Sequence, residues 1–123
     1  MMSVYRTVTN LGLPLIRFYL SRRLAMGKED KYRFSERFGN ASMSRPEGLL
    51  VWVHSASIGE SLSILPLVER LRTDHSEWKI LVTTGTVTSA SLMVKRLPDG
   101  AFHQFIPVDR VDYICKFFNH WKP

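Results

Sequence analysis

Hydrophobic and polar residues follow two different patterns along this chain, and the change lies near residue 47. Beyond it, three short apolar runs are typical of strands buried on both faces of a sheet; they cover residues 49–53, 79–83 and 102–106. Three stretches with helical spacing of apolar residues follow these runs, at residues 59–72, 87–96 and 111–121. This alternation, with short connections, predicts an α/β domain with a parallel sheet.

The first 26 residues form an apolar segment interrupted by arginines. Apolar residues recur at helical spacing from Val4 onward, and Gly12 and Pro14 are expected to kink or split the helix. One interpretation is an interfacial helix whose arginines face lipid phosphates. The other is an ordinary helix that packs on its own core. No uninterrupted apolar stretch is long enough to span a bilayer.

A charged stretch at residues 27–39 predicts a short helix that ends at Gly39, where a terminating glycine is expected. Turn-forming residues then make a linker at 40–48. We therefore divide the chain into a basic, amphipathic, membrane-associating helical segment at residues 1–46 and a partial α/β domain at residues 47–123.

The net charge of +6 is confined to the first of these two segments. Residues 1–46 hold nine Lys or Arg against three Asp or Glu, whereas residues 47–123 hold eight of each. Such asymmetry indicates an anionic partner, either a phospholipid surface or nucleic acid. Nucleic acid is disfavoured, because the aromatic residues lie in apolar runs and do not interleave with basic residues.

The carboxyl ends of parallel strands meet at one edge of a sheet, where open α/β folds bind their ligands. Three loops follow the predicted strands, at residues 54–60, 84–86 and 107–109. All three carry small or polar residues that let a ligand approach closely. We expect them to converge into one ligand-binding edge.

Glu60 is the main catalytic candidate at this edge. It follows Gly59 at the start of a predicted helix, where a carboxylate is placed to take a proton from an attacking hydroxyl. The segment Ser57-Ile-Gly-Glu60 also fits a capping box, with Ser57 as N-cap and Glu60 three positions later. The sequence leaves both roles open, and they exclude each other only in part.

Other polar residues near the strand ends have structural alternatives. The segment Thr83-Thr-Gly-Thr86 offers groups for an anion or sugar hydroxyl at a helix N-terminus, or else Thr86 or Thr88 simply caps that helix. His54 is expected to be a hydrogen-bonded core residue, Asp109 to cap the third helix, and Cys115 to lie in the core. With one cysteine and scattered histidines, no metal-ligand spacing is present, so we expect no disulfide, metal or other cofactor.

Four segments, in their order and spacing along nearly the whole chain, resemble the N-terminal part of bacterial 3-deoxy-D-manno-octulosonic acid (Kdo) transferases. They are Lys28-Glu-Asp with Arg33 and Glu36-Arg-Phe-Gly39, then Val51-Trp-Val-His54 running into Ser55-Ala-Ser-Ile-Gly-Glu60, then Leu81-Val-Thr-Thr-Gly-Thr86, and Gln104-Phe-Ile-Pro-Val-Asp109. Each motif is weak by itself, but together they are specific. Ser55 and Ile58 stand where the family pattern has alanine and valine, and both changes are mild.

The resemblance implies a GT-B architecture of two Rossmann-like domains, with this chain as an incomplete N-terminal half. It implies inverting, metal-independent transfer of Kdo from CMP-Kdo to a lipid A precursor (lipid IVA) in lipopolysaccharide biosynthesis. The expected location is the cytoplasmic face of the bacterial inner membrane, held peripherally or by the N-terminus.

The resemblance also assigns roles to residues of this chain. Glu60 matches the family's catalytic base. Residues expected to bind the acceptor are Ser57, Gly59, Thr83, Thr84, Gly85 and Thr86. Residues expected to contact the membrane or lipid phosphates are Arg17, Arg22, Arg23, Lys28, Arg33 and Arg37. For the basic run from Lys28 to Arg37, ion pairs that brace the fold remain an alternative.

The chain has 123 residues, which is short for an enzyme with two substrates. We expect further strands of the sheet and the whole donor-binding domain to be missing, so that the isolated chain has no transferase activity. The alternative function is a non-catalytic module that binds lipid A or the membrane.

Overall fold

The computed structural model describes residues 13–123, and the first half of the predicted N-terminal helix lies outside this range. The described helices are α1 (Leu13–Ala25), α2 (Ile58–Asp74), α3 (Val87–Arg96) and α4 (Val111–Trp121), with a 3₁₀ helix, η1, at Phe34–Phe38. The strands are β1 (Leu50–Ser55), β2 (Lys79–Thr84) and β3 (Ala101–Phe105). From residue 47 onward, every predicted strand and helix is present, with boundaries that agree to within two residues. The helix predicted at residues 27–39 is much shorter than expected, because only the 3₁₀ helix Phe34–Phe38 forms there.

The three strands form a parallel sheet in the order β1-β2-β3, which confirms the predicted α/β class with a Rossmann-like sheet. The central strand is β2, and it is buried from Ile80 to Thr84 because helices cover both of its faces. On one face, Val68 of α2 and Met93 of α3 pack on Ile80 and Val82. Continuous apolar runs therefore mark strands here because both side-chain directions lead into a core.

The other face of the sheet packs against α4. Phe117 and Trp121 of that helix contact Leu50 and Leu81, while Trp52 lies 5.1 Å from Phe117 between ring centroids. Consequently, α4 holds apolar side chains of β1, β2 and β3 in one layer.

The outer edge of β3 is covered by the segment around η1. Arg33 Nη2 donates a hydrogen bond of 2.8 Å to the carbonyl oxygen of His103, and the Phe105 N–H donates one of 2.8 Å to Glu36 Oε1. An ion pair of 2.9 Å joins Arg33 to Glu36. The two side chains thereby satisfy the backbone groups that a neighbouring strand would otherwise take.

Gly39 ends η1 in the left-handed conformation, with φ of 86°. A Cβ at this position would lie 2.2 Å from the Tyr113 carbonyl oxygen, so the close approach to α4 requires glycine. The predicted helix end is therefore confirmed, and it also fixes η1 against the rest of the fold. Pro14 lies in the first turn of α1, where a proline is compatible with a helix.

Two expectations about α4 were wrong. Cys115 is exposed, because the buried residues of α4 are Tyr113, Phe117 and Trp121, and a residue two positions after Tyr113 lies on the opposite side of a helix. Asp109 does not cap α4, since the N-cap position belongs to Arg110.

Candidate functional site

The loops after all three strands lie at one edge of the sheet, as the parallel pairing requires. Ser55, Thr84 and Phe105 stand side by side in the register, so the loops that follow them are neighbours. The prediction that these loops converge is confirmed.

Glu60 lies in the first turn of α2, and the predicted capping box is present. The Glu60 N–H donates to Ser57 Oγ at 3.2 Å, and the Ala56 N–H donates to Glu60 Oε2 at 2.7 Å. Within the described part of the chain, Oε1 of this exposed carboxylate accepts no hydrogen bond. One oxygen therefore anchors the side chain at the helix N-terminus, while the other stays open at the ligand edge.

The loop that carries Glu60 is held from beneath by Ser55. This side chain is fully buried, and its hydroxyl lies 2.7 Å from Ser61 Oγ and donates to the Ser57 carbonyl oxygen at 3.1 Å. Gly59 is exposed, and a Cβ there would meet its nearest neighbour, Ser57 Oγ, at 3.9 Å. The fold itself thus has room for a side chain at Gly59, which leaves that space open to a ligand.

Thr83 and Thr84 are both fully buried, and their hydroxyls are engaged inside the protein. Thr83 Oγ1 accepts a hydrogen bond of 2.9 Å from Trp52 Nε1 and lies 3.0 Å from His54 Nδ1. Thr84 Oγ1 lies 2.7 Å from His103 Nε2. Contact of Thr83 and Thr84 with an acceptor stays a prediction. Because each hydroxyl lies within hydrogen-bond distance of a histidine, these geometries favour an indirect role, in which the threonine orients the histidine. His54 is hydrogen-bonded as expected, but it is exposed, so its expected place in the core was wrong.

Thr86 caps α3, since its Oγ1 accepts a 3.2 Å hydrogen bond from the Ser89 N–H and donates one of 2.9 Å to Ser89 Oγ. Thr86 is nevertheless exposed at the ligand edge. A Cβ at Gly85 would lie 3.8 Å from Ile106, so this position also has room. Sequence analysis gave Thr86 a capping or a binding role, and the structure shows the first while leaving the second a prediction.

His103 is a buried polar residue that the sequence did not single out. Its Nδ1 lies 3.0 Å from Arg33 Nη2, which only donates, so Nδ1 accepts and the Nε2–H donates to Thr84. Burial, followed by the charge of Arg33, lowers the pKa of His103 from 6.5 to about 3. The only signal in the sequence was a polar pair, His103-Gln104, inside an apolar strand.

The six basic residues predicted to contact a membrane divide into two groups. Arg17, Arg22 and Lys28 are exposed. The other three pair with buried carboxylates: Arg23 and Arg37 lie 2.9 and 3.6 Å from Glu29, and Arg33 lies 2.9 Å from Glu36. Bracing by ion pairs, the alternative that the sequence left open for the run from Lys28 to Arg37, is therefore what the structure shows for Arg33 and Arg37. Arg23, for which only membrane contact was predicted, is also ion-paired.

An apolar groove of about 430 Å³ lies between α1 and the loop after β3. Leu15, Ile16 and Tyr19 line one side, and Ile106–Asp109 line the other. Two apolar side chains of α1 are largely exposed at this groove: Leu15, which lines it, is 73% exposed, and Phe18 is 66% exposed. This concentration of apolar surface next to Arg17 and Arg22 suits an anionic amphiphile.

No helix within residues 13–123 combines the length and hydrophobicity needed to cross a membrane. No three His, Cys, Asp or Glu side chains of the same range are grouped so that they would hold a metal ion.

Residues 32–123 match a protein-family model described as 3-deoxy-D-manno-octulosonic acid transferase (Kdo transferase). A probable mitochondrial 3-deoxy-D-manno-octulosonic acid transferase of Arabidopsis thaliana is 38% identical over 98% of this chain. The corresponding transferases of Rickettsia bellii and Haemophilus influenzae are 37% and 30% identical over 100% and 97% of the chain. The chain spans 27–29% of the length of these three relatives.

No solved structure matches the chain. The family model nevertheless covers every strand of the sheet and the loop that carries Glu60, and these relatives cover nearly the entire chain. The chain therefore belongs to the Kdo transferase family.

Proposed function

We propose that this chain is the acceptor-binding part of a Kdo transferase that moves Kdo from CMP-Kdo to a lipid A precursor, lipid IVA, in lipopolysaccharide biosynthesis. The observation that carries the proposal is Glu60, whose carboxylate is anchored through Oε2 and open at Oε1 on the ligand edge. The chain spans less than a third of the length of the three relatives named above, so we assign donor binding to a further domain supplied by the same or another polypeptide.

In the proposed reaction, Glu60 Oε1 takes the proton of the attacking acceptor hydroxyl. The hydroxyl oxygen then forms a bond to the anomeric carbon of Kdo, while the bond from that carbon to the phosphate oxygen breaks and CMP leaves with its electron pair. Attack opposite the leaving group inverts the anomeric centre. We propose that the step is metal-independent: CMP leaves with one more negative charge than its phosphate carries in CMP-Kdo, and we assign the stabilisation of that charge to the donor-binding domain.

Features of the α1 surface favour a lipid as the acceptor. The apolar groove between α1 and the loop after β3 accommodates part of an acyl chain, while Arg17, Arg22 and Lys28 stand exposed nearby for phosphate groups. We accordingly propose peripheral or N-terminally anchored attachment to the cytoplasmic face of the bacterial inner membrane.

The test is Kdo transfer from CMP-Kdo to lipid IVA by this chain fused to, or co-expressed with, the donor domain of a Kdo transferase. Glu60→Gln keeps an acceptor for the Ala56 N–H, so the cap survives while the base is lost. We expect transfer to fall by about a hundredfold or more. Glu69→Gln, an exposed glutamate on the same helix, is the matched control and should retain activity.

Equal transfer by the native and Glu60→Gln forms would limit Glu60 to the capping role. The isolated chain is expected to transfer nothing without the donor domain. A folded fusion that transfers nothing in any form would favour the second candidate, a non-catalytic module that binds lipid A or the membrane. The exposed apolar and basic surface of α1 is the observation behind that alternative.

A further inference from the structure

His54 is the last residue but one of β1, and its imidazole is exposed at the carboxyl edge of the sheet. It directly precedes the loop that ends in Glu60. The register places His54 beside Thr83 of β2, which is buried beneath it. His54 is thus a titratable side chain at the ligand edge to which the proposed reaction gives no role.

The hydrogen bonds around Thr83 determine which nitrogen of His54 carries the proton. Trp52 Nε1–H can only donate, so Thr83 Oγ1 accepts this bond at 2.9 Å. Within the described residues, the sole acceptor near the Thr83 hydroxyl proton is His54 Nδ1, at 3.0 Å. A fully buried hydroxyl is costly to leave without an acceptor. The neutral imidazole of His54 therefore carries its proton on Nε2.

The position of the His54 imidazole is fixed by the same hydrogen bonds and by the packing of Trp52. Trp52 packs against Phe117 and Phe118, with ring centroids 5.1 and 5.5 Å apart, and it holds the Thr83 hydroxyl that in turn holds His54 Nδ1. Nε2 lies across the imidazole from this anchor. No hydrogen bond between described residues engages it, so it is a directed donor without an acceptor.

His103 provides an internal comparison. Both of its nitrogens are engaged, Nδ1 by Arg33 and Nε2 by Thr84, and the ring is largely buried. His54 has the same kind of threonine contact on one nitrogen only. Two histidines are therefore fixed by threonines of β2, His54 on the face of the sheet that packs against α4 and His103 on the opposite face. Of the two, His54 keeps an open donor at the site.

We propose that His54 positions the acceptor by donating a hydrogen bond from Nε2–H to an oxygen of its phosphorylated amino-sugar headgroup. Thr83 acts through His54, and Trp52 acts through Thr83, so neither buried side chain touches the substrate. This inference rests on the proposed function, because it places the acceptor headgroup beside Glu60.

Two amide substitutions separate the two ends of the imidazole. In His54→Asn, the amide takes the place of Nδ1, so it still meets Thr83 but offers no outward donor. In His54→Gln, the amide N–H reaches about as far as Nε2. In the enzyme completed with a donor domain, we expect His54→Asn to lower kcat/KM about tenfold, mainly through KM for the acceptor, and His54→Gln to stay within about threefold of the native value.

Thr83→Val tests the anchor, because it keeps the shape of the side chain and removes the hydroxyl. It should raise KM for the acceptor by about threefold to tenfold through loss of the fixed ring position. His75→Gln is the control, since His75 lies beyond the end of α2 and stacks on Trp78 with ring centroids 3.8 Å apart. It should leave both constants unchanged.

A second measurement needs no catalysis and uses the 123-residue chain itself. Two-bond ¹⁵N–¹H correlation spectra of histidine-labelled protein at neutral pH should show the neutral Nε2–H form for His54. Addition of lipid IVA in detergent micelles should shift the His54 Nε2 resonance and leave the His75 resonances in place.

The inference fails if His54 carries its proton on Nδ1, or if its Nε2 resonance does not respond to the lipid. It also fails if His54→Asn matches the native kcat/KM. These outcomes are distinguishable from failure of the proposed base. If Glu60→Gln is fully active while His54→Asn is impaired, the base assignment is wrong and the His54 contact stands; the opposite pattern leaves Glu60 as base and removes His54 from the site.

Discussion

At the scale of single residues, this protein uses side-chain hydrogen bonds to decide the state of its polar groups. Glu60 is anchored by one oxygen and open at the other, so its capping contact and its proposed role as base are compatible. The sequence pattern S-x-x-E indicated the cap. It did not indicate which oxygen remains open, because that depends on the position of Ala56 in the folded loop.

His103 leads to a prediction about stability. In the folded chain it takes up a proton near pH 3, whereas in the unfolded chain it does so near 6.5. The unfolded state therefore binds more protons between these values, and the free energy of unfolding should fall as the pH is lowered from 7 to 5, by about 1–2 kcal/mol from this residue. Urea unfolding at several pH values measures the change.

His103→Gln should remove most of this loss between pH 7 and 5, and His75→Gln should preserve it. An unchanged pH dependence in His103→Gln would show that His103 is accessible to protons in the folded chain. This behaviour could not be predicted from the sequence, because the cation that contributes to it, Arg33, lies 70 positions away along the chain.

At the scale of elements, the strands and helices of the sheet were predictable because burial on both faces leaves a simple pattern. β2 reads Lys79-Ile-Leu-Val-Thr-Thr84, and all its residues after the first are buried. The bounds of α4 were predicted correctly, but the residues that form its buried face were not. The helix carries apolar residues around most of its circumference, with Phe118 42% exposed, so the pattern did not exclude Cys115 from the core.

Gly39 is the element boundary with the largest expected effect on stability. A methyl group there would collide with the Tyr113 carbonyl and would also disfavour the left-handed backbone. We expect Gly39→Ala to lower the free energy of unfolding by about 2–3 kcal/mol, measured by urea denaturation.

The matched control is Gly27→Ala. Gly27 is also left-handed, with φ of 74°, but has nothing within 4 Å of the added Cβ. This substitution should cost only about 1 kcal/mol, the backbone term. Equal losses in the two variants would mean that α4 moves aside without penalty and that Gly39 acts through backbone conformation only.

At the scale of the whole molecule, the excess of basic residues in the N-terminal segment divides into an ion-paired group and an exposed group. Part of it is internal, in the ion pairs of Arg23, Arg33 and Arg37 with Glu29 and Glu36. A count of charges did not separate these arginines from the exposed ones, because their buried partners become neighbours only in the fold.

The exposed part of that charge predicts binding to anionic vesicles. Replacement of Arg17 and Arg22 by Glu should weaken binding of the 123-residue chain to phosphatidylglycerol vesicles by at least about tenfold in a sedimentation assay at low salt. Native binding should also weaken as salt is raised.

Lys95 and Arg96 form the control pair. Both are exposed in the last turn of α3, which lies at the end of the sheet opposite the ligand edge. The same charge reversals there should leave vesicle binding within about twofold of the native value, because an anionic surface attracts mainly the charges close to it. Equal losses from both pairs would mean that net charge alone, and not α1, drives the attraction.

The segment that covers β3 also determines at which edge a further strand can pair with the sheet. Arg33 and Glu36 occupy the backbone groups of His103 and Phe105, so another polypeptide cannot add hydrogen bonds to β3 without first displacing a buried ion pair. On the opposite side, β1 is the last strand of the described sheet. Any extension of the sheet, whether by a later strand of a longer relative or by erroneous pairing between copies, is therefore directed to β1 and brings the new chain alongside His54.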